Sequence, residues 1–286
     1  MKKLHNLFAL LLTCFVFIGC RGDNEISVES VVVDRESYIL FAGETVTFNA
    51  HVLPRNADNQ NIRWTSSNRN VATIDPNTGE LTALSGGTTR ITAASFDRWR
   101  TAYINVTVEF NISDSEQGID VGGLRWATRN LAAPGFFADS PTCLGMFYQW
   151  NRSVAWETTG DVTNWNTSVP TGTTWTAEND PCPGGWRLPT IDELKTLMNE
   201  RNVWATYNEV NGRVFGVAPD QIFLPAAGWR IGATGELDSS DVGANYWSST
   251  QDVGVNAWSF HFTGSLSPRE SRNDRRNGFS IRCIAE

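Results

Sequence analysis

Residues 44–53 alternate without a break: Val46, Phe48, Ala50 and Val52 fall on one face, Thr45, Thr47, Asn49 and His51 on the other. A period of two marks a β-strand with one side on a core and one in water. Shorter runs of the same kind occur at residues 28–33, 62–65, 71–74, 80–84, 88–94 and 102–108. Turn formers separate them, as in Asp75-Pro76-Asn77-Thr78-Gly79 and Ser85-Gly86-Gly87. Seven strands at this spacing in under a hundred residues predict a two-layer β-sandwich of immunoglobulin type over residues 26–110. No cysteine lies in that stretch, so packing alone must hold it, with Trp64 as a core tryptophan between the sheets.

The start of the chain has the layout of an export signal. Lys2 and Lys3 precede an apolar stretch over residues 7–18, interrupted by Thr13. A bilayer span needs ~20 residues, so this stretch is too short to cross but suits a signal. It ends in Phe17-Ile18-Gly19-Cys20, which resembles a lipobox with Phe17 where Leu is usual. The resemblance implies loss of residues 1–19 and acylation of Cys20, followed by a tether over residues 20–25. Two or three acyl chains, at ~0.8 kcal/mol per buried CH₂, make a lasting anchor. Asp23 and Glu25 are similar to the surface-export signal of Bacteroidetes lipoproteins, from which Arg21 and Gly22 depart. The implied location is the outer membrane, facing out of the cell. Arg21-Gly22-Asp23 also spells an integrin-binding tripeptide, but beside a lipidated cysteine it would lie out of a receptor's reach.

A net charge of −8 argues against nucleic acid as a partner, which requires clustered Lys and Arg. The one basic cluster, Arg269, Arg272, Arg275 and Arg276, is interleaved with Glu270 and Asp274. Three histidines, one of them in the export signal, exclude a histidine-rich metal site.

Within residues 26–110, Ala42-Gly43-Glu44-Thr45, Ile62-Arg63-Trp64-Thr65-Ser66-Ser67-Asn68, Val71-Ala72-Thr73-Ile74-Asp75 and Gly79-Glu80-Leu81-Thr82-Ala83 recur in family order. The segment resembles the bacterial Ig-like group 2 domains, which implies a spacer or adhesive module of surface proteins. Residues 111–117 are short and polar and read as a linker.

Residues 118–286 have a different texture. They hold ten of the twelve tryptophans, many Gly and Asn, and few periodic runs. One helix is predicted from Thr190, where Thr190-Ile191-Asp192-Glu193 is a capping box and Ile191, Leu194, Leu197 and Met198 share a face. Strands are predicted at residues 222–224, 257–262 and 279–284. Leu124-Arg125-Trp126, Met146-Phe147-Tyr148-Gln149-Trp150, Asp180-Pro181-Cys182-Pro183-Gly184-Gly185-Trp186-Arg187-Leu188-Pro189-Thr190, Leu224-Pro225-Ala226-Ala227-Gly228-Trp229-Arg230, Tyr246-Trp247-Ser248-Ser249 and Gly278-Phe279-Ser280-Ile281-Arg282-Cys283 follow in order. This half resembles the Fibrobacter succinogenes major paralogous domain. The implied fold is α+β and C-type-lectin-like, and the implied role is display at the surface of Bacteroidetes-type bacteria, including fimbrial settings.

Cys182 and Cys283 both sit in those strings, and a disulfide between them is expected; Cys143 lies outside them and is expected to be a buried free thiol. Calcium-dependent sugar binding needs several convergent carboxylate and carbonyl oxygens. The Glu-Pro-Asn, Gln-Pro-Asp and Trp-Asn-Asp strings of C-type lectins are absent, so calcium has no motif here. Tyr246 and Trp247 occupy a comparable late region, and Glu236, Asp238 and Asp241 could form a loop site. Seven or eight of the ten tryptophans are expected in the core; Trp156, Trp165 and Trp175 lie in a Thr/Asn/Gly-rich stretch and are the ones expected at a variable surface. His261 reads as an ordinary strand histidine.

The leading expectation is a non-enzymatic surface lipoprotein with an Ig-like spacer and a tryptophan-rich head that binds a glycan or protein. One alternative is a subunit or tip of a fimbria-like assembly, with fimbrial subunits as partners. A remote one is an enzyme of the sulfatase-modifying-factor type, which would need a reactive cysteine pair.

Overall fold

The computed structural model describes residues 25–286; the export-signal and Cys20 readings lie outside the described residues. The described chain is mostly β, with a single α-helix.

Residues 30–109 form a sandwich. One layer is a four-stranded sheet in the order Ser37–Phe41, Thr101–Glu109, Gly87–Ser95, Ile62–Ser66. The facing layer pairs Ser30–Val33 with Ala50–Leu53, and Thr45–Thr47 and Ala72–Ile74 with Glu80–Ala83. The 44–53 run is therefore split between two ladders. Its alternation survives the break: Phe48 and Val52 are buried, Val46 and Ala50 half-buried, and Thr45, Thr47 and Asn49 exposed. Phe48 meets Trp64 at a centroid distance of 6.4 Å, and both lie in a core built of Val, Ile, Leu and Ala from both layers. Ser37–Phe41 is a strand that the period-two pattern does not reveal. It pairs in parallel with Thr101–Glu109 at the sheet edge, and its outward residues Ile39 and Phe41 are apolar rather than polar.

Residues 118–286 build a second core from four small sheets and the helix Ile191–Asn199. The capping box is present: Thr190 accepts from the Glu193 N–H, and the Glu193 carboxylate accepts from the Thr190 N–H at 2.7 Å. Ile191, Leu194 and Leu197 bury against Phe215, Ile222, Leu224, Tyr246, Phe260 and Phe262. The predicted strands at 222–224 and 257–262 fall inside Asp220–Pro225 and Asn256–Thr263. The predicted 279–284 strand is instead two pieces, Gly278–Phe279 and Ile284–Ala285, which belong to different sheets. Two antiparallel three-stranded sheets were not foreseen: Asn202–Tyr207 with Val210–Val217 and Asp220–Pro225, and Gly243–Gln251 with Asn256–Thr263 and Arg269–Asp274.

The 111–117 stretch is docked on the second core. Ile112 bridges to Gln221, and Thr128 donates to the Ser115 carbonyl at 3.1 Å. The two cores also touch directly: Ala218 packs on the sandwich core beside Gly43, and Arg201 donates to the Asn70 carbonyl at 2.8 Å.

Candidate functional site

Between the strand Ala155–Glu157 and the 3-10 turn Ala177–Asn179 the chain has no regular structure. Thr159, Asp161, Thr163, Asn164, Thr167, Thr171 and Thr173 are all exposed along it. A long loop of this composition has no core of its own, so its path must be fixed from outside.

Five arginine and amide side chains do so. Arg230, 1 % exposed, donates to the carbonyls of Glu157, Thr159, Gly160 and Gly235 at 2.7–3.1 Å. Arg152 donates to the Ser168 carbonyl at 2.9 Å, and the Gln149 amide to those of Asn166 and Arg276 at 2.7 Å. Arg275 donates to the Gly172 carbonyl at 2.7 Å while lying over the Trp150 ring. Asn151 donates to the Thr171 carbonyl and accepts from the Thr176 N–H. Arginine suits this task because its rigid fork reaches several acceptors at once.

The three tryptophans expected at a variable surface are half-buried, and they hold the loop down. Trp165 meets Trp156 at a centroid distance of 4.8 Å and donates to the Gly232 carbonyl at 3.0 Å. Its ring lies so close to Gly235 and Gly278 that a Cβ on either would approach it to 2.7 and 2.8 Å. Trp175 packs on Trp150 and donates to the Asn179 carbonyl. The seven or eight core tryptophans expected are therefore not all inside. In this half only Trp126, Trp150 and Trp247 are fully buried, and the other seven each have one side in and one side out.

Tyr246 and Trp247 are not available to a ligand. Both are 0 % exposed, because the strand that carries them runs through the core. Trp247 stacks on Phe279 at 4.2 Å and donates to the Tyr148 carbonyl; Tyr246 donates to the Pro225 carbonyl, and burial pushes its hydroxyl up to about 12. Glu236, Asp238 and Asp241 are exposed but do not converge. Glu236 accepts from Thr234 and Asp238 from Ser239, and no group of three metal-ligating side chains occurs among the described residues.

Cys182 and Cys283 form a disulfide across 101 residues. Asp180, two residues earlier, accepts from the Cys182 and Leu188 N–H groups and so fixes the approach to the helix. Cys143 is free and exposed, not buried, because it sits in the turn after Ser140 rather than on a strand. His261 is half-buried beside Trp229, and burial together with the Arg269 charge lowers its pKa.

The arginine scaffold escaped sequence reasoning, although Arg230 closes one of the strings quoted above and Arg152 follows another. A string identifies which residues recur, not the carbonyls they reach 70 residues away.

Residues 27–106 match the family described as bacterial Ig-like domain (group 2). A 3-O-alpha-D-galactosyl-alpha-L-arabinofuranosidase of Bifidobacterium longum subsp. longum is 39 % identical over 93 residues, 32 % of this chain and 8 % of that protein. An Ig-like virion protein of Serratia phage KSP90 is 34 % identical over 83 residues, 29 % of this chain and 32 % of that protein. The chain thus spans a third or less of the length of these relatives. Among solved structures, domains 4 and 5 of the S-layer protein SbsC align with 28 % of this chain and 51 % of theirs at 21 % identity and a TM-score of 0.24. The sandwich at residues 27–106 is a bacterial Ig-like domain of group 2.

Proposed function

We propose that this chain is a surface-displayed binding lipoprotein, anchored through Cys20, in which the Ig-like domain is a spacer and residues 118–286 are the recognition head. The observation that carries the reading is the loop between Glu157 and Ala177. Its main chain is held by Arg152, Arg230, Arg275 and Gln149, while its Thr and Asn side chains face water. Polar groups on a rigid path lose little entropy on binding, and hydroxyls and amides are the hydrogen-bonding partners that sugars use. A glycan is the favoured ligand class.

The head is read as a Fibrobacter succinogenes major paralogous domain with a C-type-lectin-like fold. The strings that support this include the disulfide-bonded Cys182, the capped helix start at Thr190 and the buried Arg282. Outer-membrane placement rests on the lipobox-like Phe17-Ile18-Gly19-Cys20 and the acids after it. Ig-like modules in a phage virion protein, as that relative is named, fit a surface setting. Binding is favoured over catalysis: two of the three cysteines beyond Cys20 are consumed in one bridge, and Cys143 stands alone, which leaves no reactive pair for sulfatase-modifying-factor chemistry.

The test is a glycan array probed with the wild type and with an Asp161→Ala/Thr163→Ala/Thr167→Ala variant, each with and without calcium. Glycan signal that the variant loses supports the reading. Signal equal in both overturns the loop's role, and no glycan signal together with co-purifying pilin-like subunits favours the fimbrial alternative. Palmitate labelling that Cys20→Ala abolishes tests the anchor separately.

A further inference from the structure

The most exposed tryptophan of the molecule is in the spacer, not the head. Trp99 is 71 % exposed and Phe96 49 %, and they flank Arg98 in the tight hairpin that joins Gly87–Ser95 to Thr101–Glu109. Arg98 and Arg100 are exposed as well. The turn is firm: Ser95 donates its N–H to the Arg100 carbonyl at 2.8 Å, and the Arg100 N–H donates to the Ser95 hydroxyl. Arg98 and Trp99 both hold positive φ, where hairpins ordinarily use Asn-Gly. Large side chains therefore occupy a turn whose backbone does not favour them.

The hairpin tip is locked to the point where the described chain begins. The Val28 N–H donates to the Asp97 carboxylate at 2.7 Å. Ile26 exchanges two bonds with Asp58, its N–H to the carboxylate at 2.7 Å and its carbonyl from the Asp58 N–H at 3.0 Å. The Phe96 N–H donates to the Asn61 carbonyl. Ile26, Leu53 and Arg55 are exposed at this same end. Of the acids there, Asp58 and Asp97 each accept a backbone N–H, and Glu25 and Glu29 are exposed. Six residues separate Cys20 from the fold, counting Cys20 itself, and extended chain covers at most ~3.6 Å per residue, so an anchor at Cys20 holds this end within about 20 Å of the bilayer.

We propose that the Phe96–Arg100 hairpin is a membrane-contact element, with Trp99 and Phe96 seated at the headgroup level of the anchoring bilayer and Arg98 and Arg100 on lipid phosphates. It rests on the lipid-anchor reading for its place in the cell. Tryptophan favours this interface because its ring is apolar and its N–H polar, and arginine favours it because the guanidinium pairs with phosphate. Tethering makes even a weak contact persistent, since the hairpin is confined at high local concentration beside the membrane. The spacer would then stand on its bilayer on two points rather than swing from one.

The experiment attaches residues 25–286 by an N-terminal histidine tag to vesicles of phosphatidylcholine and phosphatidylglycerol that contain a nickel-chelating lipid. This puts the N-terminus at a membrane whether or not Cys20 is acylated in cells, so the two readings fail separately. Brominated phospholipids should quench the tryptophan fluorescence of the wild type and lose that quenching with Trp99→Ser. An Arg98→Glu/Arg100→Glu variant should lose most of it, and more so as phosphatidylglycerol is added. Equal quenching of wild type and Trp99→Ser, or none in either, overturns the proposal. So does concentration-dependent self-association that Trp99→Ser abolishes, which would assign the patch to a second copy.

Discussion

Arg282 places two guanidinium nitrogens on the side-chain oxygen of Asn130, at 2.7 and 3.2 Å, across 152 residues of chain. The same guanidinium donates to the carbonyls of Ala127 and Phe223, and Arg282 is wholly buried. Burial pulls its pKa down to about 10, so it stays charged at neutral pH with neutral oxygens as its partners. Arg282→Met should therefore strand three buried acceptors and destabilise the second domain by ~3 kcal/mol or more. Arg282→Lys should recover only part of this, because an ammonium lacks the planar fork. Urea unfolding of the three proteins measures both.

The Cys182–Cys283 bridge closes a loop of about a hundred residues within one domain and leaves the Ig-like domain untouched. In the chain-entropy account such a loop contributes ~4–5 kcal/mol, less any strain. Reduction, or Cys182→Ala/Cys283→Ala, should lower the unfolding transition of residues 118–286 and leave that of the Ig-like domain in place. Calorimetry with and without dithiothreitol distinguishes the two transitions.

Much of this was legible in the sequence where the cause is local. Period two exposes a strand with one wet face, and a Thr and a Glu three residues apart expose a helix start. Where both faces are apolar, as in Ser37–Phe41, the signal vanishes. The hairpins between Asn202 and Pro225 hid for another reason: Asn211, Gly212 and Gly216 interrupt the alternation. Gly216 adopts a φ of +95° where its neighbour strand comes too close for a Cβ. Tyr246 and Trp247 count as ligand-binding candidates in the sequence because an aromatic pair looks alike inside and out. Which carbonyl an arginine reaches is a property of the finished fold, so no spacing announces it.

Acid should weaken the helix start. Glu193 takes a forked pair of bonds from Arg187 at 2.6 and 2.9 Å, and this, with the Thr190 bonds, holds its carboxyl down at about 2 against an ordinary 4.5. A depressed carboxylate stabilises the fold above its unfolded pKa and loses that contribution as pH falls through the folded one. The loss should thus run from about pH 5 to pH 2 in the wild type. Glu193→Gln should cost ~1–2 kcal/mol at pH 7 and show no such acid-dependent loss at this site. Stability against pH for both proteins gives the comparison.

Trp165 should act as the clasp of the exposed loop. Trp165→Ala, or Gly278→Ala through the clash it creates, should free residues 158–172 while the two cores remain folded. Local opening of this kind raises the rate of proteolysis there by about tenfold or more. Mass spectrometry of limited digests locates the cuts, and cuts that stay unchanged in both variants would rule the clasp out.

Nearly every bond that sets the path of that loop ends on a main-chain oxygen: Glu157, Thr159, Gly160, Asn166, Ser168, Thr171 and Gly172 are held by their carbonyls. A carbonyl is the same whichever side chain it accompanies. The residues that face water can therefore diversify without disturbing the course of the chain, and related molecules can wear different surfaces on one unchanged frame. Such a separation lets selection rewrite what is presented and leave untouched how it is held.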